Sequence, residues 1–142
     1  MSRLDSFIRR LKAQRACLDH AARAVADVPG VVFELGLGNG RTYDHMRERL
    51  PDRRIVVFER DPQPHPDCGP AAGDLVVGDL AQTLAQADAD FAGRVALIHS
   101  DIGTGDSERN RRVAVELAAI LPGFLVAGGL VVSDQELAVP AL

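Results

Sequence analysis

The sequence contains no tryptophan, a single tyrosine and only two cysteines in 142 residues. Cys17 and Cys68 are too few and too far apart for a disulfide framework or a four-ligand zinc site. They read as two reduced thiols of a cytoplasmic protein. No apolar run approaches the ~20 residues that span a bilayer. The opening MSRLDSFIRRLKAQ is charged throughout and lacks the apolar stretch of a secretory signal. A long basic tract is also missing, and the net charge is −4. Phosphate backbones are bound by clustered Lys and Arg, so neither nucleic acid nor a membrane is an expected partner, and a small-molecule substrate is. There is no internal repeat and no linker, which predicts one domain over residues 1–142. Its 46% apolar and 25% charged residues are ordinary globular usage and exclude a disordered or fibrous chain.

What is present is a pattern of alternating elements. Leu4, Phe7, Ile8, Leu11, Leu18, Ala21, Ala22 and Val25 recur at helical spacing and form one apolar stripe, interrupted around Gln14 and Arg15, which predicts an amphipathic helix within residues 1–29. Pro29 and Gly30 end it. VVFELG is a β-branched and aromatic run that predicts a buried strand. RTYDHMRERL predicts a helix, with Tyr43, Met46 and Leu50 on one face and Pro51 as its stop. IVVFE at 55–59 predicts a second strand. Residues 60–74, with Pro62, Pro64, Pro66 and Pro70, predict a loop. DLVVGD, RVALIHS and GLVVSD predict further strands, separated by helices with faces at Leu80, Leu84, Ala87 and Phe91 and at Val113, Leu117, Ile120, Leu121 and Phe124. Strands that alternate with helices and are apolar on both faces predict a doubly wound, mainly parallel, Rossmann-like α/β sheet of about five strands in three layers.

In such a sheet the ligand lies beyond the carboxyl ends of the strands, where the strand order reverses. The first strand ends in ELGLGNGRT. Gly36, Gly38 and Gly40 let the backbone turn sharply and approach a ligand without an intervening Cβ. The free N–H groups of the following helix then face a polar or anionic ligand. The spacing G-x-G-x-G differs from the G-x-G-x-x-G of dinucleotide turns. Glu59 ends the second strand, where a carboxylate accepts hydrogen bonds from a ribose diol. The same residue also reads as a solvated strand end, Asp79 as a turn residue, and Asp101 as a loop or helix cap.

The string ELGLGNG, with Glu34 ahead of the glycines, resembles motif I of class I S-adenosylmethionine (SAM) methyltransferases, E/D-x-G-x-G-x-G. The resemblance runs from about residue 31 to 134, and GNGRTYDHMRERLP resembles a small bacterial SAM-methyltransferase family of unassigned substrate. It implies a SAM-binding core over residues 30–134, with S-adenosylhomocysteine as product. The implied cofactor residues are Glu34, Gly36, Gly38, Gly40, Arg41, Thr42, Glu59, Asp79, Leu80 and Ser100. Glu59 would hold the ribose and Asp79 the adenine amino group. Asp101 falls where the family carries a functional acidic or amide residue and is the candidate catalytic base. SAM binding is expected to need no metal.

A metal reading remains open beside it. Asp101 and Asp134, with Gln135, end the fourth and fifth strands as in metal-dependent O-methyltransferases, and such oxygen ligands suit Mg²⁺. His65, Asp67, Cys68 and His99 match no zinc spacing, and Arg109, Arg111 and Arg112 read as a solvated helix face. Two other functions compete: a non-enzymatic SAM-binding or assembly protein, and an NAD-linked oxidoreductase. After GLVVSD only QELAVPAL follows, too little for the helix and antiparallel hairpin of the family. The fifth strand should therefore lie at an open edge, and a homo-oligomer, a dimer or higher, is expected to cover it.

Overall fold

The computed structural model describes residues 1–138. Val139 to Leu142, the end of the QELAVPAL segment, lie outside the described residues. The five strands are β1 (Val31–Leu35), β2 (Ile55–Glu59), β3 (Leu75–Val77), β4 (Val95–Ser100) and β5 (Leu125–Ser133). All pair in parallel, in the order β3-β2-β1-β4-β5. The order reverses between β1 and β4, so the crevice of the doubly wound sheet opens at their carboxyl ends.

The helices α1 (Arg3–Ala24) and α2 (Arg41–Arg49) cover one face, and α3 (Leu80–Phe91) and α4 (Ser107–Ile120) the other. Alternation along the strands divides the core. Val32, Ile55, Val57 and Leu97 pack with Leu18, Ala21, Val25, Tyr43 and Met46. Phe33, Leu35, Val56, Phe58 and Ile98 pack with Leu84, Leu117 and Phe124. Phe33 is the hub of the second cluster, with ring centroids 4.8 Å from Phe58, 5.4 Å from Phe91 and 5.2 Å from Phe124.

α1 begins on a capping box between Ser2 and Asp5. At its other end the Arg53 guanidinium, just ahead of β2, donates to the carbonyls of Val25 (2.5 Å) and Gly30 (3.1 Å). That fixes the helix's carboxyl end at the amino edge of the sheet, and the helix runs back toward the carboxyl edge. With 22 residues it spans about 33 Å, far more than the strand it lies on. Its last two turns bury Leu18 and Ala21, whereas Leu4, Phe7 and Ile8 are 67%, 39% and 41% exposed. The apolar stripe is one stripe in sequence, but only its second half enters this core.

Two elements differ from their sequence patterns. β5 begins at Leu125, four residues ahead of GLVVSD, and carries an irregularity opposite Val95–Leu97, with Gly128 at φ 83°. Ala127, Gly128 and Gly129 have no side chains from which a strand period could be read. β3 is only partly buried, as the other edge of the sheet. Among the described residues β5 is bonded on one side only, to β4. Among the described residues no helix is long and apolar enough to cross a membrane.

Candidate functional site

The glycine turn links β1 to α2 at the carboxyl edge. Gly36, Gly38 and Gly40 have φ values of 86°, 54° and 89°, a region that L side chains rarely adopt. They are needed for different reasons. A Cβ on Gly36 would stand 2.7 Å from the carbonyl oxygen of Asp101, and one on Gly40 would stand 2.5 Å from that of Cys68. Above Gly38 nothing lies within 4 Å. The outer two glycines let the loops after β4 and β2 close in, and the middle one faces open space as the floor of a cradle.

Glu59, at the end of β2, faces this cradle. Its carboxylate accepts from the backbone N–H groups of Leu37 (2.9 Å), Gly38 (3.3 Å) and Asp61 (3.0 Å). Partial burial works to raise its pKa, but these donors outweigh burial and hold it below the ordinary 4.5. Glu59 is thus a carboxylate held in place at the mouth of the turn, its ionised form favoured by backbone donors.

Glu34 lies deeper than motif I alone suggests. It is 0% exposed, and both its oxygens are taken. Oε2 accepts from the Thr42 hydroxyl in the first turn of α2 (3.0 Å), and Oε1 lies 2.5 Å from His99 Nδ1 on β4. Glu34 and His99 are register partners across β1 and β4. Burial pushes the Glu34 carboxyl up. Burial would lower the His99 imidazole, but the charge and hydrogen bond of Glu34 more than offset it, and its pKa is raised. Both shifts favour keeping a proton in the pair. The sequence pattern gives His99 no role; its alternation with Leu97 in RVALIHS is its signal.

Asp101 follows β4 and is exposed, and its Oδ2 accepts from Gln14 Nε2 of α1 at 3.0 Å. Asp134, after β5, accepts from the Gly103 N–H at 2.8 Å. Among the described residues no group of three or more His, Cys, Asp and Glu side chains is placed to hold a metal ion. His65 accepts from the Asp67 N–H, within its own loop.

The remaining predicted residues divide between the crevice and the scaffold. Asp79 caps α3, accepting from the Gln82 N–H at 3.3 Å, and stays exposed. Leu80, beside it, packs against the α3/α4 core. Arg41 is exposed at the start of α2. Ser100 is fully buried and its hydroxyl has no partner among the described residues. It lines a small space with Asn110, Val113 and Leu117 of α4. The structure therefore brings Gly36, Gly38, Gly40, Glu59, Thr42, Glu34 and Asp101 to the β1–β4 crevice, and sets Asp79 and Leu80 at the end of β3.

A family model described as S-adenosyl-L-methionine methyltransferase matches residues 1–142. No curated protein sequence matches the chain. Among solved structures, S-adenosyl-L-methionine methyl transferase from Silicibacter pomeroyi DSS-3 is similar with a TM-score of 0.94 and 42% identity, over 100% of this chain and 87% of that one. The apo structure of CalS11, a TDP-rhamnose 3′-O-methyltransferase of calicheamicin biosynthesis, is similar with a TM-score of 0.59 and 24% identity, over 89% of this chain and 65% of that one. A further CalS11 structure has a TM-score of 0.58 and 22% identity, over 89% of this chain and 65% of that one. The likeness to CalS11 speaks to the fold alone.

Proposed function

Since the chain belongs to the S-adenosyl-L-methionine methyltransferase family, whose model it matches over residues 1–142, we propose that it methylates a hydroxyl or amine of a small-molecule acceptor at the β1–β4 crevice. The observation that carries this reading is the pairing of an open glycine cradle with an ionised Glu59. Above Gly38 nothing lies within 4 Å, and Glu59 stands against the N–H groups of the same turn. A ribose diol donates two hydrogen bonds and needs such a carboxylate, and the backbone must come close without a Cβ.

When bound, the cofactor supplies an electrophilic methyl group on a sulfonium. Glu59 holds the ribose. Asp79, exposed at the end of β3, accepts from the adenine amino group. The glycine turn, entered from Glu34, would hold the rest of the cofactor. Asp101, beyond β4, would take the proton that the acceptor gives up. Alignment of the acceptor with the methyl group supplies much of the rate.

The homo-oligomer belongs to the same reading. The unpaired side of β5 and the exposed Leu4, Phe7 and Ile8 of α1 are the surfaces a second copy would cover. Calorimetric titration tests the cofactor assignment: SAM and S-adenosylhomocysteine should bind and NAD should not. Binding of NAD with SAM silent would overturn it.

A further inference from the structure

The first turns of α1 carry a charge opposite to that of the rest of the chain. Residues 1–15 hold five basic side chains, Arg3, Arg9, Arg10, Lys12 and Arg15, and one carboxylate, Asp5. The remainder holds eleven basic and nineteen acidic side chains. A tip of charge +4 thus projects from a body of charge −8. Among the described residues none of the five cations forms an ion pair. Arg10 lies over the Phe7 ring, 5.2 Å from its centroid, and Leu4, Phe7 and Ile8 stay exposed among these charges.

The tip stands beside the crevice. α1 meets the carboxyl edge of the sheet where Gln14 bonds Asp101, and the eleven helical residues before Gln14 run about 16 Å beyond it. The same edge carries a rim of exposed carboxylates: Asp101 after β4, Asp106 and Glu108 at the start of α4, and Asp134 and Glu136 after β5. Asp134 ties the two strand ends together through the Gly103 N–H. Residues 101–108 contain no basic side chain. Of the arginines that follow on α4, Arg112 meets Glu108 at 3.8 Å, with both side chains largely exposed. Ile102 and Leu137, each next in sequence to a rim carboxylate, are half-buried and add apolar surface.

Two tips do not fit each other. Leu4, Phe7, Leu11, Gln14, Leu18, Ala21 and Val25 recur at alternate spacings of three and four, the heptad of a helix–helix seam. The positions flanking its exposed part are Arg3, Ile8, Arg10 and Arg15. A second tip laid along the seam sets arginine against arginine, and facing like charges oppose association. An acidic surface fits instead, and the rim is one. Tip and rim lie side by side at one edge of the molecule. A two-fold axis between two such edges therefore seats each tip on the other copy's rim.

We propose that the protein forms a two-fold dimer in which the basic tip of α1 from each copy docks on the acidic rim of the other and walls the acceptor side of its crevice beside Asp101. This rests on the homo-oligomer reading and names the contact that makes it.

Charge exchange tests the contact. Arg3→Glu, Arg10→Glu and Arg15→Glu together turn the tip acidic. Glu108→Lys and Glu136→Lys, with Asp106→Asn to keep the helix cap, turn the rim basic in company with the α4 arginines. All six side chains are exposed, and melting curves check that both variants fold. Light scattering after size exclusion at high micromolar concentration should give the dimer mass for the parent and the monomer mass for each variant alone. An equimolar mixture of the two variants should return to the dimer mass, because every tip then meets a rim of opposite sign. A dimer from either variant alone, or a mixture that stays monomeric, overturns the proposal. A second measurement needs no variant. Raising NaCl from roughly 0.05 to 0.5 M should weaken the parent dimer about tenfold or more, and a salt-insensitive dimer overturns the docking while leaving the homo-oligomer reading intact. A monomeric parent overturns both, and a monomer that sediments with phosphatidylglycerol vesicles gives the tip to an anionic bilayer instead.

Discussion

Gln14 of α1 donates through Nε2 to Asp101 Oδ2 at 3.0 Å, joining two residues 87 positions apart in the chain. Gln14 is where the apolar stripe of α1 breaks, and the break is the point at which the helix leaves the sheet and meets the crevice. Gln14→Leu completes the stripe. Loss of one hydrogen bond, worth about 0.5–1.5 kcal/mol, is then partly offset by apolar burial, so stability in urea should change by less than ~1 kcal/mol. SAM affinity should stay within threefold, because the pair lies on the acceptor side. A tenfold loss in calorimetric titration would move Asp101 into the cofactor site.

Glu59→Ala should weaken SAM by about 1.5–3 kcal/mol, the range for hydrogen bonds to a charged group. The fold should lose a further ~1 kcal/mol, because the Leu37, Gly38 and Asp61 N–H groups lose their acceptor. Titration and denaturation read the two losses separately. An unchanged dissociation constant in a folded variant would remove Glu59 from the ribose.

The glycines of the turn should separate folding from binding. Gly36→Ala puts a Cβ 2.7 Å from the Asp101 carbonyl at φ 86°, and should cost roughly 2–5 kcal/mol of stability. At Gly38 a methyl group meets open space at φ 54°. Gly38→Ala should therefore fold with a loss of only about 1–2 kcal/mol and lose SAM affinity by filling the cradle. Thermal melts and titrations of both variants check this. Normal SAM binding by Gly38→Ala would contradict the cradle.

The Glu34–His99 pair makes stability depend on pH. The folded state raises the pKa of His99 above 6.5 and that of Glu34 above 4.5. A group with a raised folded-state pKa contributes stability that is full below its unfolded pKa and is lost as pH rises through the folded one. The melting temperature should thus decline as pH climbs above about 4.5, where Glu34 begins to contribute, and further above about 6.5, where His99 does. His99→Asn should flatten that decline. A parent protein whose melting point rises through the same window would contradict the shared proton.

The layered fold was legible because five β-branched runs and the glycine turn mark their own places. The crevice was legible in part. Glu59 and the glycines sit at strand ends followed by turns, which can be read from spacing even though their partners lie far along the chain. Glu34, His99, Gln14 and Asp101 interact across 65 and 87 residues, and nothing in a one-dimensional pattern joins them. Asp79 illustrates the opposite case, since its cap on α3 is a local bond that the VGDL turn already announces. The apolar residues of α1 gave the right helix but concealed that Leu4, Phe7 and Ile8 project past the core.

Those three side chains and the unpaired side of β5 should be covered in a homodimer. Light scattering after size exclusion at high micromolar concentration should give twice the monomer mass, and Phe7→Glu with Ile8→Glu should return it to the monomer. A monodisperse monomer of the parent protein would dismiss the dimer.

The order β3-β2-β1-β4-β5 also has a consequence for synthesis on the ribosome. Residues 31–77 complete three adjoining strands before any of β4 has been made. During that interval β1 presents the bare edge of VVFEL, a segment suited to joining a neighbouring nascent chain. Glu34 interrupts it with a carboxylate that is solvated and charged until His99 arrives 65 residues later. A residue fully buried in the finished crevice thus supplies the charge within that bare edge, and a charge within such a segment disfavours edge-to-edge pairing.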